Sequence, residues 1–323
     1  MRRQPTRRTV LALVASLVPA AAWAQYPDRP IKLVVPLAPG GPADTAARLF
    51  APYFSDRIGQ SVVIENRSGA SSVVGTEAVV RAPPDGYTLL FGSSSSFAVN
   101  PAVMKNLRFD VQKDLKLVGL VSYTPHVLVV RGSLPARSLA ELIALAKAQP
   151  GKLSYASSGT GGAIHLASEL LKRETGTDMI HVPYRGGGPA LMGLLTDDVD
   201  ILINDASTTA ENVRAGKLRA LAMAWPKRSP LLPDVPTFAE LGFPRVVSSS
   251  WFGLATPAKT SSDIVGRLAQ SLPQVFSTPS YQAQLEKLGL EQFDLNPAQS
   301  SAFIKAEFDK WAAVARSARI QVD

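Results

Sequence analysis

The stretch VVPLAPGGPADTAARLF, residues 34–50, passes from an apolar run through a Pro/Gly turn into a helical stripe. Ile31–Val35 is β-branched and bounded by prolines, the pattern of a buried strand. Pro39-Gly40-Gly41-Pro42 punctuates a turn. Asp44 or Thr45 can cap the helix beyond that turn, where Ala46, Ala47, Leu49 and Phe50 share one face. A strand feeding a helix through glycines leaves backbone N–H groups unpaired at the positive end of a helix dipole, which suits an anion. A nucleotide phosphate is excluded as that anion. The P-loop needs a Lys after its glycines, and the first basic residue here is Arg48; G-x-G-x-x-G is absent because Gly41 directly follows Gly40. The competing reading is a tight strand–helix connection with no ligand, and the rest of the chain has to decide.

Outward from that stretch, strands and helices alternate almost to the end. Strands are predicted at Val62–Glu65, Thr88–Gly92, Leu153–Ala156, Met179–Val182, Val199–Ile203 and Leu218–Met223. Helices are predicted at Thr45–Ile58, Val73–Arg81, Ser138–Gln149, Ala163–Glu174, Pro189–Leu195, Ser262–Phe276, Pro279–Leu288 and Pro297–Ala318. Such alternation implies an α/β fold with mainly parallel sheets. About 300 residues exceed what one core usually holds, so two lobes are expected. Lys116–Val130 and Val246–Ala255 are extended and carry no helical stripe, so they are the two candidate crossovers. The expected division is residues 25–124 plus 249–323 for a discontinuous first lobe and 125–248 for the second, a geometry that can hinge shut on a ligand.

Residues 1–24 read as a secretory leader, with Arg2, Arg3, Arg7 and Arg8 at its start, an apolar core at Val10–Val18 and Ala22-Trp23-Ala24 before the cut. Cleavage after Ala24 and a periplasmic location are expected. Thr6-Arg7-Arg8-Thr9-Val10-Leu11 leaves the general and twin-arginine routes both open. The leader's arginines carry half of the formal charge of +8, so the remaining chain is only mildly basic. Beyond the leader no basic run is interleaved with aromatics, which argues against nucleic acid. The absence of cysteine excludes disulfides, thiolate metal sites and lipid attachment at a cysteine. No cofactor or metal is expected.

Ligands of parallel α/β sheets sit where strands end and helices begin. Several such junctions here are rich in Gly, Ser and Thr: Gly92–Ser96 with Ser93 and Ser94, Ser157–Gly162 with Ser158, Thr160 and Gly161, Tyr184–Gly188, and Asn204–Ser207. The Ser157–Gly162 segment repeats the physical design of the opening stretch. One cradle from each lobe could hold a small carboxylate between them. A hydrogen bond to a charged group contributes roughly 1.5–3 kcal/mol and a helix terminus about 0.3–2, so a few contacts support micromolar binding without a buried Arg.

The segments YPDRPIKLVVPLAPGGPADTAAR, VVIENRSGASSVVGTEAVVRAPPDGYTLL, GKLSYASSGTGGAIHLASELL, HVPYRGGGPA and GKLRALAMAWPKRSPLLPDVPTFAELGFP occur in order from Tyr26 onward. Together they resemble the Bug-type extracytoplasmic solute receptors of tripartite tricarboxylate transporters. The resemblance implies a two-lobed periplasmic binding protein of type II-like fold, each lobe a mainly parallel sheet flanked by helices, joined by two crossover strands. It implies a monomer that closes on a small carboxylate and delivers it to membrane carrier subunits. Carried over by position, Pro39, Gly40, Gly41 and Asp44 of the first lobe and Ser157, Ser158, Thr160 and Gly161 of the second grip the carboxylate. Asn204 and Asp205 meet the variable part of the ligand; Asp205 could pair with an amino group or repel a second carboxylate. Leu37 stands where an aromatic is frequent, Ser68 and Ser71-Ser72 replace the usual Pro and paired Gly, and Ser93–Ser96 add hydroxyls, all of which suggest a polar ligand.

Among other functions, a periplasmic sensor docking on a signalling partner is the alternative the sequence does not separate from a transport receptor. A hydrolase has less support, because no G-x-S-x-G elbow is present. His165, near the start of its helix, is the best catalytic candidate and a candidate ligand contact, but a structural histidine fits its position better. Glu169 shares its helical face, and a metal site would need a third ligand that the sequence does not offer. The chain reads as a binding protein rather than an enzyme.

Overall fold

The computed structural model describes residues 26–322; the leader read at 1–24 lies outside the described residues. The chain begins β1 (Ile31–Val35), α1 (Pro42–Ile58), β2 (Val62–Asn66), α2 (Val73–Val80), β3 (Thr88–Ser93), α3 (Asn100–Val103), α4 (Val111–Asp114) and β4 (Leu115–Arg131). The middle of the chain holds α5 (Leu139–Ala148), β5 (Ser154–Ser157), α6 (Ala163–Thr175), β6 (Ile180–Pro183), α7 (Gly187–Leu195), β7 (Ile201–Asp205), α8 (Ala206–Arg214) and β8 (Leu218–Met223). It returns through β9 (Ser249–Pro257), α9 (Ser262–Phe276), α10 (Pro279–Lys287), β10 (Glu291–Gln292) and α11 (Pro297–Ser317).

The strands join in the order β2-β1-β3-β9-β4-β7-β5-β6, with β8 and β10 also paired to β4. Pairs within the βα units are parallel, as alternation requires: β1 with β2 and β3, β5 with β6 and β7. The central strands are antiparallel, so the sheet is mixed rather than purely parallel. Two long strands cause this: β4 runs with β1 and β3 in the first half and against β7 in the second, and β9 returns to the first half against both β3 and β4. Up to Pro125, β4 pairs with β9; from His126 onward it pairs with β7, and from Val127 also with β8. Ser248 ties the exchange together, donating its N–H to Ala224 O at 2.7 Å and accepting from His126 N at 3.2 Å.

Each half has its own apolar packing. Leu33, Phe50, Phe54 and Phe91 join α1 and β3 to α9 and α10, while Val129, Leu194 and Leu202 fill the space between β7 and α7. A third cluster links Phe97, Trp251 and Trp311 to Leu166 and Tyr155, so α11 packs against both halves. The chain then ends as a short strap. Val322 donates to Val103 O at 3.0 Å and accepts from Lys105 N at 3.3 Å.

Candidate functional site

The strand ends of both halves open on one cavity of about 480 Å³, within the range of small-molecule sites. Leu37, Gly41, Pro42 and Ala43 enter from the β1–α1 junction, Ser71 from the turn before α2, and Ser93–Ser95 from the end of β3. Opposite them stand Ser158, Gly159 and Gly162–Ile164, then Arg185–Gly188, then Asn204, Asp205 and Thr208. Ser250 and Phe252 of β9 complete the wall.

What unites this wall is the state of its helix ends. The N-cap residues of α1, α6 and α7 are Gly41, Gly162 and Gly186, which have no side chain to bond the first-turn N–H groups. The N-cap of α8 is Asp205, whose carboxylate is not used as a cap. All four termini therefore reach the cavity without a side-chain cap. Elsewhere α5, α9 and α11 are capped by Ser138, Ser261 and Asn296. A second cavity of about 600 Å³, between β4, α9 and α10, is larger but offers no comparable feature. The helix N-terminus that reaches it is that of α11, and the Asn296–Gln299 capping box closes it. Uncapped termini attract negative charge, each contributing about 0.3–1 kcal/mol and up to ~2 when partly buried. Arg185 adds a full positive charge and makes no ion pair with another described residue.

Residues of the same wall also carry buried acceptors. Asn204 Oδ1, Asp205 Oδ1 and Ser93 Oγ are buried and have no hydrogen-bond partner among the described residues. Asn204 is 2% exposed, Asp205 7% and Ser93 4%. Ser71 reaches the wall from a strained turn in which Ala70, Ser71 and Ser72 all have positive φ, a conformation that favours glycine. Asn100 Nδ2 donates to Ser71 O at 2.6 Å and helps to hold that turn.

Of the residues expected from sequence, Leu37, Gly41, Ser93, Ser94, Ser158, Asn204 and Asp205 line the cavity. Pro39, Gly40, Asp44, Ser157, Thr160, Gly161, His165 and Tyr184 are not in its lining. Several of these hold the loops in place instead. Gly40 N donates to Asp44 Oδ2 at 2.9 Å, and Gly161 N donates to His165 Nδ1 at 3.0 Å. The two loops thus use one device: the N–H before a glycine N-cap bonds a side chain in the first turn of the helix. Those two N–H groups are consumed within the protein. Asp44 also accepts from Arg48 Nε at 2.8 Å and from Asn66 Nδ2 at 2.9 Å, while Asn66 Nδ2 reaches Leu37 O at 3.2 Å. Burial alone would raise the Asp44 pKa, but the bonds from Arg48, Gly40 and Asn66 outweigh it and hold the carboxyl below its ordinary value.

Gly161 has φ +77°, and a Cβ there would stand 2.5 Å from Val322 Cγ2, so its open side faces the C-terminal strap. Ser157, fully buried, shares its hydroxyl with the Gly159 backbone and with His181 Nε2 at 2.6 Å. Tyr184 donates its N–H to Ser157 O, and its hydroxyl lies against Gly193, where a Cβ would come within 2.3 Å. Sequence reasoning missed Arg185, although it noticed the Tyr184–Gly188 loop, and it missed Ser250 and Phe252 because they lie inside a strand.

His165 stacks on His181 with ring centroids 3.8 Å apart. Burial, and next the neighbouring His181, push its pKa down from 6.5 to about 4. Glu169 and Lys172 of the same helix exert opposing, smaller effects. Glu169 itself accepts from Tyr155 Oη at 2.6 Å and from Lys172 Nζ at 2.8 Å. The folded state thus binds the His165 proton less readily than the unfolded chain. Its stabilisation is complete above pH 6.5 and is lost as pH falls toward about 4. The melting temperature should drop across that window, and His165→Gln, which keeps a neutral acceptor, should flatten the drop. An unchanged profile in the variant removes His165 as its source.

Residues 46–319 match the model of the tripartite tricarboxylate transporter family receptors, TctC. Protein BugT of Bordetella pertussis is 39% identical over 292 residues, covering 90% of each chain. A Rhodopseudomonas palustris protein solved with adipate superposes with a TM-score of 0.82 at 35% identity, over 92% of this chain and 99% of that one. MatC of the same organism, solved with bound malate, gives 0.79 at 30% identity, over 90% and 99%. These neighbours share the two-lobed α/β architecture. Family members are solute-binding receptors of the periplasm rather than enzymes. By the match over its length and by these relatives, the chain belongs to the tripartite tricarboxylate transporter receptor family.

Proposed function

We propose that this protein is exported to the periplasm, loses its leader after Ala24, captures a small organic carboxylate between two lobes and hands it to a membrane carrier of the tripartite tricarboxylate type. The observation that carries the reading is the convergence of four helix N-termini, none with a side-chain cap, on one cavity. The polarity of the α1, α6 and α7 termini suits a compact anion on their side of the cavity, together with Arg185, while the Asp205 carboxylate stands at the start of α8. Relatives solved with adipate and with malate support a carboxylate as that anion. The lobes divide as residues 25–124 with 249–323, and 125–248. The exchange of partners by β4 between Pro125 and His126, and the start of β9 at Ser249, support that boundary. Closure about these strands buries the ligand, and contact with the carrier reopens the cleft.

Thermal shift of protein that has been unfolded and refolded, to strip any retained ligand, tests the reading. A carboxylate at 100 times its Kd adds about 2.7 kcal/mol, which raises the melting temperature by roughly 5 °C or more. Stabilisation by carboxylates, and none by sugars, amines or inorganic phosphate, is expected. A shift with one of those controls alone rules the reading out.

A further inference from the structure

We infer that Ser71 sets ligand choice: its hydroxyl meets an uncharged hydroxyl carried by the bound carboxylate, and a strained turn is kept to place it there. The inference rests on the carboxylate reading of the cavity. Three residues in succession, Ala70, Ser71 and Ser72, hold φ of +43°, +52° and +84°. Glycine adopts such angles freely, and any other residue there costs stability. Strain of this kind persists only where the surroundings enforce it.

They do so here. A Cβ on Gly75 would stand 2.7 Å from Arg67 O and from Pro36 Cα, so α2 sits directly on the backbone just beyond β1 and β2. Thr76 Oγ1 donates to Ser72 O at 2.8 Å, and Asn100 Nδ2 donates to Ser71 O at 2.6 Å. The helix start and the turn before it therefore have fixed places. A glycine at position 71 would satisfy all of these restraints with less strain.

Of the three residues, Ser71 alone is both exposed and part of the cavity wall. Ala70 lies outside the wall, and Ser72 is 1% exposed with its hydroxyl unpartnered. The backbone of the turn is occupied. Ser71 O is taken by Asn100, Val73 N donates to Ala70 O, and Val74 N donates to Gly69 O at 3.4 Å. The start of α2 thus has no free N–H at its first two positions, and the Ser71 hydroxyl bonds none of the described residues. Its surroundings on this side are neutral. The charged side chains of the wall, Arg185 and Asp205, stand opposite, and the neighbours of Ser71 are the hydroxyls of Ser93–Ser95. A serine hydroxyl both donates and accepts, so it pairs best with a group that does the same. A ligand hydroxyl is such a group. A methylene in its place leaves the serine without a partner once water is excluded.

Isothermal titration with matched acids tests this: propionate against lactate, succinate against malate, and glutarate and adipate against their hydroxy derivatives. In the pair that fits best, the hydroxy acid is expected to bind wild-type protein about 3–10-fold more tightly than the plain acid. Ser71→Ala keeps the turn and removes the hydroxyl, so the lead should vanish while the plain acid binds as before. Ser71→Gly should lose the lead too, yet melt about 1–3 °C above wild type. A merely structural serine would not give a sturdier fold together with poorer discrimination. A lead that survives Ser71→Ala overturns the inference, as does a plain acid that matches its hydroxy partner in every pair. So does a Ser71→Gly protein that melts no higher than wild type, since the turn would then be unstrained. Each of these leaves the carboxylate receptor standing. Failure of every acid to bind overturns that reading, and the inference with it.

Discussion

Replacing Asp44 with alanine is expected to lower stability by about 2–3 kcal/mol and to cost the protein its carboxylate affinity by a larger factor than its fold. One buried carboxylate holds Gly40 N, Arg48 Nε and Asn66 Nδ2 together, and Asn66 in turn holds the Leu37 carbonyl. Without it the Leu37–Gly41 turn has no anchor at the point where α1 meets the cavity. Arg48 is more than half exposed and can turn to water, so its share of the loss is small. Asp44→Asn keeps an acceptor for Gly40 and should recover part of both losses. Titration calorimetry and thermal melts separate the two effects. The sign of the acid response is also fixed. Because the folded carboxyl sits below its ordinary 3.8, its stabilisation is complete above that value and is lost as pH falls through the folded pKa. Asp44→Ala should lack that component. A variant that binds like wild type would mean the turn holds its shape unaided.

The largest loss of stability is expected from Glu307→Ala, about 3–5 kcal/mol. Glu307 is 7% exposed and accepts from Trp251 Nε1 at 3.2 Å and Trp311 Nε1 at 3.1 Å, while its other oxygen pairs with Lys310. Lys310 also donates to Val247 O at 2.9 Å, and burial pushes its pKa down. Removing the carboxylate strands two indole N–H groups at once and leaves the half-buried Lys310 ammonium with Val247 O as its remaining hydrogen-bond partner. Trp251 lies between Ser250 and Phe252, so the damage reaches the cavity through β9. Glu307→Gln retains an acceptor for the indoles and should cost less. Urea midpoints rank the three proteins, and equal midpoints for wild type and Glu307→Ala would show that the network does not stabilise the fold.

Most strands and helices were legible because each carries its own punctuation. The Pro39–Pro42 turn separates β1 from α1, and Pro150-Gly151 stops α5. The element missed outright in the second half was α8. Its sequence, ASTTAENVR, offers few apolar residues, and its Asp205 N-cap is committed to no capping bond. Ser93–Ser96 read as a turn, yet Ser95–Val99 winds into a π-helical turn leading to α3, because Phe97 and Val99 are buried beneath it. The mainly parallel pairing of each half was legible from the alternation, and the two segments read as crossovers, 116–130 and 246–255, are the strands β4 and β9 that run antiparallel at the centre, a direction that alternation does not give.

The site was legible as a set of junctions, less so as individual contacts. Gly41, Ser158 and Asn204 lie in the wall because strand ends point there. Gly40, Asp44, Gly161 and His165 have the residue types of a binding loop, but each pair, four residues apart, bonds internally. Sequence spacing is the same for a residue that touches a ligand and one that holds the loop that does. Arg185 was passed over for Tyr184 because the distinction depends on which of two neighbours turns inward.

The strap at the C-terminus bears on how the protein should be handled at the bench. Val322 packs on Gly161, which begins the tight turn into α6, and its backbone is bonded to Val103 and Lys105. A purification tag fused after Asp323 would begin one residue from that contact. It would load the turn from behind and bias any affinity measured with it. A tag joined ahead of Tyr26 is attached near Gly86, to which the Tyr26 hydroxyl donates, and neither residue belongs to the cavity wall.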